Sequence, residues 1–308
     1  MNWRQTAAAI KSLKIQGAES IAKSALLALD EELHKSRAAT AKQLLSQLGK
    51  ARKAIESARP TEPFVRNNLA FCFHKLEGLD LRHLREEFLG RIRRRFVAIE
   101  KNKEIIAEIG ARKIMNGAVV FTHCHSSTVM EILKKAKQDG KKFVVHNTEA
   151  RPFYQGRTSA EELARQGIKV VHWVDSAVRL AMKKADIALF GCDAITPTRI
   201  INKIGSELFA ETAERLDVPL YVATDSLKFD PRTIKGYPEE IEERPKSEVW
   251  QKPPKGVEIR NPAFEKINPE LVTGIISEFG IYKHQMFIEE LEHNHPWLFA
   301  SEDEQTWQ

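Results

Sequence analysis

No stretch of the 308 residues approaches 18 consecutive apolar positions, and the N-terminus has neither the apolar core nor the small-residue cleavage site of a secretory signal. Membrane insertion and export are not expected. Cysteine is scarce: Cys72, Cys124 and Cys192 are odd in number and scattered, which supplies no disulfide framework and fits a reducing compartment, so a cytoplasmic protein is expected. The chain lacks GxGxxG and GxxxxGK[ST], leaving dinucleotide and nucleoside-triphosphate binding of the usual kinds without support, and no repeat of fixed period is visible. A block of charge of one sign is missing too. Lys and Arg number 48 against 42 Asp and Glu, a formal net charge of +6, interspersed throughout. A pI near 9.1 is compatible with a phosphorylated or nucleic-acid partner, but charge alone establishes neither.

What is present divides into two patterns. From residue 1 to about 110, apolar residues recur at helical spacing, as in Ile21, Ala25, Leu26, Leu29 and again in Phe88, Ile92, Phe96, Ile99. Breaks fall at Gly17, at Arg59-Pro60-Thr61-Glu62-Pro63 and near Gly78. This half predicts a helical domain over 1–110. Over 111–308, near-continuous apolar runs at Ala118–Thr122, Phe143–His146, Val170–Val174, Ile187–Phe190, Leu220–Ala223 and Gly274–Ser277 alternate with amphipathic stretches. Such runs fit strands buried on both faces, and their alternation with helices predicts an α/β domain with a mostly parallel sheet. Ligands of such a sheet bind beyond the carboxyl ends of its strands. The stretch from Lys228 to Pro262, with six prolines and little periodicity, reads as an extended surface excursion. The acidic, aromatic tail after Glu292 suggests no chemistry.

The residues that follow the predicted strands carry the chemistry. Cys124, in Thr122-His123-Cys124-His125-Ser126, falls between a strand end and a helix start, where backbone N–H groups and the helix dipole favour thiolate; the alternative is a buried small side chain. His123 and His125 invite a metal, but on an extended backbone they point away from Cys124, and no further ligand cluster follows. Asp193, in Gly191-Cys192-Asp193, follows another strand on the same edge of the sheet. A thiol and a carboxylate facing one site can divide acid and base roles. Phosphate-binding candidates surround that edge: Arg151 with Gln155-Gly156, Asn202-Lys203 ahead of the helix start at Gly205-Ser206, and Lys228. Taken singly, each is also readable as a surface charge.

In this order, Thr122-His123-Cys124-His125-Ser126, Ala150-Arg151-Pro152 with Gln155-Gly156, Gly191-Cys192-Asp193 and Asn202-Lys203-Ile204-Gly205-Ser206 resemble the sugar-phosphate isomerases related to the regulatory subunits of translation initiation factor 2B. The resemblance extends from Ile15-Gln16-Gly17-Ala18 to Asn261-Pro262-Ala263-Phe264 and Ile275–Gly280. It implies a helical N-terminal domain followed by a Rossmann-like, mostly parallel sheet domain. It also implies catalytic Cys124 and Asp193, with substrate contacts from Gln16, Gly17, Arg59, Ser126, Arg151, Gln155, Asn202, Lys203 and Lys228.

The implied activity opens α-D-ribose 1,5-bisphosphate to ribulose 1,5-bisphosphate, in AMP or nucleoside degradation, without metal or organic cofactor. The implied partners are a phosphorylated pentose and further copies of the chain, as a homodimer or homohexamer. No membrane or nucleic acid is among them. Two alternatives stay open: a noncatalytic subunit-like protein that meets initiation factor 2, and an isomerase of another 1-phosphorylated pentose such as methylthioribose 1-phosphate. The family pattern has Arg where this chain has Gln16, and a Gly-containing turn where it has Thr196-Pro197-Thr198-Arg199; Arg199 is a candidate replacement for the lost charge. An acid at the ring oxygen is expected to sit in an apolar setting that raises the pKa of Asp193.

Overall fold

The computed structural model describes residues 1–237 and 241–299. They form two compact units, each assembled from separate stretches: Met1–Lys101 with Leu227–Pro231 and residues 292–299, and Asn102–Ser226 with the described residues of Arg232–Leu291. This division differs from a single cut at residue 110, because a continuous helix runs through that position and later segments return to the first unit.

The first unit contains α1 (Trp3–Lys11), α2 (Ala18–Lys35), α3 (Ala41–Ala58), α4 (Pro63–Phe73) and most of α5 (Leu81–Lys113). Local chemistry sets the boundaries. Asn2 and Gln5 form a reciprocal capping box on α1, Thr40 caps α3, and Pro63 opens α4 where its missing N–H costs nothing. Gly17 begins α2 with φ at 80°, a conformation that L side chains rarely adopt. Leu26, Leu29, Leu44, Leu48 and Phe88 are fully buried. Phe229 and Asp230, near the start of the expected surface excursion, are buried here as well. Asn67 on α4 donates to the carbonyls of Leu227 (2.8 Å) and Phe229 (2.7 Å), and Arg66 pairs with the buried Asp230 at 2.7 Å. Buried backbone carbonyls need such donors.

The second unit begins with β1 (Val119–Thr122), α6 (Ser127–Gln138), β2 (Val144–Thr148), α7 (Gln155–Arg165), β3 (Lys169–Trp173), α8 (Val178–Met182) and β4 (Ile187–Phe190). It continues with β5 (Ala194–Ile195), β6 (Ile200–Lys203), α9 (Ser206–Arg215), β7 (Leu220–Ala223), β8 (Phe264–Ile267), β9 (Gly274–Ser277), β10 (Gly280–Tyr282) and α10 (His284–Asn294). Seven strands form one sheet in the order β10-β9-β7-β4-β1-β2-β3, parallel except for β10. Every residue of β4, β7 and β9 is buried, which is why those runs are continuously apolar. From β1 the chain steps outward to β2 and β3, then returns to β4 on the other side and moves away again. That reversal leaves a crevice between the carboxyl ends of β1 and β4.

A second, three-stranded antiparallel sheet, β5-β6-β8, was not foreseen. The β5–β6 hairpin turns at Thr196–Arg199 without glycine. The Thr196 hydroxyl accepts from the Arg199 N–H (2.9 Å) and donates to the Arg199 carbonyl (3.1 Å), doing locally what a left-handed residue would otherwise do. Among the described residues, no helix is long and apolar enough to cross a membrane.

Candidate functional site

The reversal between β1 and β4 brings together the two side chains with most chemistry. Cys124 lies two residues beyond β1 with φ at 66°, and Asp193 lies three beyond β4. Gly191 makes the approach possible, since a Cβ there would stand 2.4 Å from the Oγ of Ser126. Ser126 itself is the N-cap of α6, accepting from the Val129 N–H at 3.4 Å. The small sheet then fixes the acid. The Asp193 N–H donates to the Ile201 carbonyl at 2.8 Å, and the register pairing Ala194 with Ile201 sets Asp193 opposite Asn202, one residue from Lys203.

Lys203 is buried, with its ammonium 5.1 Å from the Phe264 ring. The charges of Lys203, Asp193 and Asp175 all act on the Cys124 thiol. Burial nevertheless dominates and pushes that thiol up to about 11, against the smaller downward pull of Lys203 and of the His125 N–H. The expected thiolate is thus not the resting form. An amide dipole cannot repay the lost hydration of a sulfur that is only 9% exposed. The thiol instead points its proton at Gln155 Oε1, 3.6 Å away, at the first position of α7. Gln155 was expected to meet substrate; the structure shows it against the sulfur.

The two flanking histidines are spoken for. The left-handed turn at Cys124 ends the strand alternation that was to point both of them away from the thiol. His123 is buried, with Nδ1 2.6 Å from the Thr148 hydroxyl and Nε2 donating to the Ile204 carbonyl at 3.0 Å, and burial lowers its pKa to about 4. His125 donates through Nδ1 to Ser159 Oγ at 3.0 Å, while Ser159 donates to the Cys124 carbonyl at 3.0 Å. Both rings brace the loop. Among the described residues, no group of three or more His, Cys, Asp or Glu could hold a metal ion.

Asp175, just after β3, escaped the sequence reading, although the logic that found Asp193 applies to it equally. It accepts from the N–H groups of Ala150 (2.9 Å) and Arg151 (2.8 Å), and Oδ1 lies 4.0 Å from His123 Nδ1. It therefore holds the loop that leads into α7. Gly156 completes that loop: a Cβ there would meet the Thr148 carbonyl at 1.7 Å, so no other residue fits. Arg151 is exposed, donating to the Tyr154 hydroxyl (2.7 Å) and the Val249 carbonyl (3.4 Å).

The start of α9 was expected to offer its amides to a phosphate. Glu265 on β8 already takes them, accepting from the Glu207 N–H at 2.8 Å and from Gly205. Asn202 is buried and donates to Ser206 Oγ at 2.9 Å. Arg199 sits exposed at the hairpin tip, at the opposite end of β5–β6 from Asp193 and Lys203. Gln16, Gly17, Arg59 and Lys228 belong to the first unit. There Gln16 is exposed and donates to the Leu13 carbonyl at 2.7 Å, Arg59 ends α3, and Lys228 is half-buried between the two carbonyls that Asn67 holds.

A parallel α/β unit with thiol, carboxylate and ammonium groups gathered at its strand-order reversal is a recognisable kind of proton-transfer scaffold. Residues 14–284 match the Initiation factor 2 subunit family, and the chain belongs to that family. The ribose 1,5-bisphosphate isomerase of Pyrococcus furiosus is 36% identical over 301 residues, covering 94% of this chain and 93% of the relative. That of Thermococcus kodakarensis is 37% identical over 302 residues, with the same shares covered. Among solved structures, the translation initiation factor eIF-2B of Pyrococcus horikoshii superposes with a TM-score of 0.79 at 29% identity, over 91% of this chain and 96% of that one.

Proposed function

We propose that this protein isomerises α-D-ribose 1,5-bisphosphate to D-ribulose 1,5-bisphosphate. The observation that carries the reading is a buried thiol just beyond β1 at the strand-order reversal, with Asp193 just beyond β4 and buried Lys203 both close enough to act on it. The relatives bearing that activity in their names span nearly the whole chain.

A sugar phosphorylated on its anomeric oxygen cannot open by simple aldose tautomerism. Ring opening needs a proton delivered to the ring oxygen and a proton removed from C2. Asp193 delivers a proton to the ring oxygen as its bond to C1 breaks and the Cys124 thiolate takes the proton from C2; the thiol then returns that proton to C1 while the Asp193 carboxylate takes the proton of the C2 hydroxyl, giving the ketose with both groups restored. Apart from cleavage of the bond between C1 and the ring oxygen, every change is a proton transfer between the substrate and these two side chains. Because the thiol rests neutral at about 11, ionising it at pH 7 costs about 5 kcal/mol, an affordable part of a barrier of about 15 kcal/mol for turnover on the order of 10² per second. Buried Lys203 reduces that cost. Ser126 and Asn202 at the same edge, and on the resemblance alone Arg151, Gln16, Gly17, Arg59 and Lys228, are proposed as substrate contacts.

Self-association through the second unit is part of the same proposal. Leu180 on α8 is 65% exposed and Leu208 on the neighbouring α9 is 54% exposed, an apolar face of the kind that symmetric partners cover.

The test incubates the protein with ribose 1,5-bisphosphate and follows ribulose 1,5-bisphosphate, comparing wild type with Cys124→Ser and Asp193→Asn. Each variant is expected to lose about 10²- to 10⁴-fold in kcat. Undiminished turnover in both defeats the mechanism. A noncatalytic reading, favoured by the eIF-2B name of the superposed structure, predicts no turnover of any 1-phosphorylated pentose and retention of initiation factor 2 instead.

A further inference from the structure

The stretch between β7 and β8 is a poor candidate for mere surface covering, because its second half is pinned at both ends. Glu243 bridges Pro262 in antiparallel fashion, with the Arg244 N–H donating to the Asn261 carbonyl (2.9 Å) and the Ala263 N–H to the Glu242 carbonyl (2.8 Å). This pairing runs directly into β8 of the small sheet. Within it, the guanidinium of Arg244 is fixed by Glu248 through two bonds of 3.0 and 2.8 Å and by Glu242 at 3.0 Å. Asn261 holds Glu248 in turn at 3.1 Å. An arginine held this rigidly has lost its side-chain freedom for a reason other than solvation.

Its flat face lies 4.3 Å from the ring centroid of Phe153. Phe153 is 43% exposed, an unusual setting for phenylalanine unless the ring is in use. Five residues on, the same segment meets the same loop again, where the Val249 carbonyl accepts from Arg151. The loop Arg151–Tyr154 is thus gripped by Asp175 beneath and by Arg244 and Val249 above. Its next residue is Gln155, the one side chain that accepts from the Cys124 thiol among the hydrogen bonds of the described residues.

We infer that residues 241–250 act as a strap whose Arg244–Phe153 stack positions Gln155 against Cys124, making Arg244 and Phe153 positioning residues for the thiol. The role rests on the functional reading above only for its effect on turnover. Its effect on the sulfur is independent of what the enzyme acts on. Gln155 Oε1 bonds the protonated thiol, so it opposes ionisation and shields the sulfur; loosening the strap removes both restraints.

The experiment measures the rate of Cys124 alkylation by iodoacetamide in the full-length protein, resolved by peptide mass from Cys72 and Cys192. Arg244→Ala and Phe153→Ala are each expected to raise that rate about three- to fivefold, the worth of an exposed cation–π contact. They should lower kcat about tenfold with KM little changed, because a sulfur freed from Gln155 loses the alignment that proton transfer at carbon requires, a loss larger than the gain from its easier ionisation. Phe153→Tyr, which keeps the ring face, should restore both. In a Gln155→Ala background, Arg244→Ala should add nothing further, since the strap then has nothing to position. Wild-type alkylation rates in both alanine variants, or a full additional effect in the Gln155→Ala background, overturn the inference. An inactive wild type would overturn the functional reading and leave the alkylation comparison to decide the strap.

Discussion

After β1 and β4 the chain leaves a thiol whose proton meets Gln155 at 3.6 Å; after β7 and β9, along the same edge of the sheet, it leaves Glu278 wrapped in donors. The Ser226 N–H reaches both Glu278 oxygens at 3.3 and 3.1 Å, its hydroxyl donates to one of them, and Asn102 bridges from Glu278 (3.2 Å) to Asp225 (2.9 Å). Burial raises both groups, the thiol to about 11 and the carboxyl to about 8, the latter helped by the charge of Asp225. The physics of proton retention is shared, but the surroundings differ. Glu278 is saturated with partners and serves to join the ends of β7 and β9. Cys124 meets only the Gln155 oxygen at 3.6 Å and the His125 N–H among the described residues, with Lys203 and Asp193 acting on it across the strand-order reversal, which leaves its proton available for exchange.

Removing the ammonium should break this contrast most severely. Lys203→Met is expected to cost about 10²- to 10³-fold in kcat, as loss of a preorganised electrostatic group does, and to shift the pH profile of Cys124 alkylation upward. An unshifted profile would show that Lys203 does not act on the sulfur.

The titration of the thiol sharpens the contrast next. With a resting value of about 11, the thiolate fraction rises about tenfold per pH unit across the neutral range, so the rate of Cys124 alkylation should climb from pH 7 to 9 with a slope near one on logarithmic axes. A plateau beginning near neutrality would mean that the sulfur is already ionised at rest.

The smallest expected effect belongs to Glu278. Its folded-state pKa lies above its unfolded value, so the folded chain binds more protons between the two values. Its contribution is therefore complete below about pH 4.5 and is lost as pH rises through about 8. Denaturant titrations should show stability falling by about 1 kcal/mol per pH unit from this group between pH 6 and 8, and Glu278→Gln should flatten that decline with kcat little altered. A decline of equal slope in the variant would assign it to other groups.

Six of the seven strands of the main sheet were legible as short apolar runs, and where burial covers both faces Ile187–Phe190, Leu220–Ala223 and Gly274–Ser277 coincide with β4, β7 and β9, whereas β3 is largely exposed or half-buried and the antiparallel β10 was not foreseen. The helix breaks at Gly17 and Arg59–Pro63 were legible for the equally local reason that glycine and proline restrict the backbone. The small sheet was not. β5 is two residues long, β6 follows two isoleucines with Asn202 and Lys203, and β8 reads Phe-Glu-Lys-Ile, so none carries a sustained signal. Its existence depends on pairing across about sixty residues of chain.

The sequence by itself determined which residues stand at the carboxyl ends of the strands, Cys124 and Asp193 among them, because periodicity and backbone stereochemistry are local properties. Only the tertiary structure decided their electrical state and their company. Hydration is lost through packing with residues far away in the chain, and that loss turned an expected thiolate into a thiol. It also set Gln155 against the sulfur and Glu265 over the amides that a phosphate was expected to occupy.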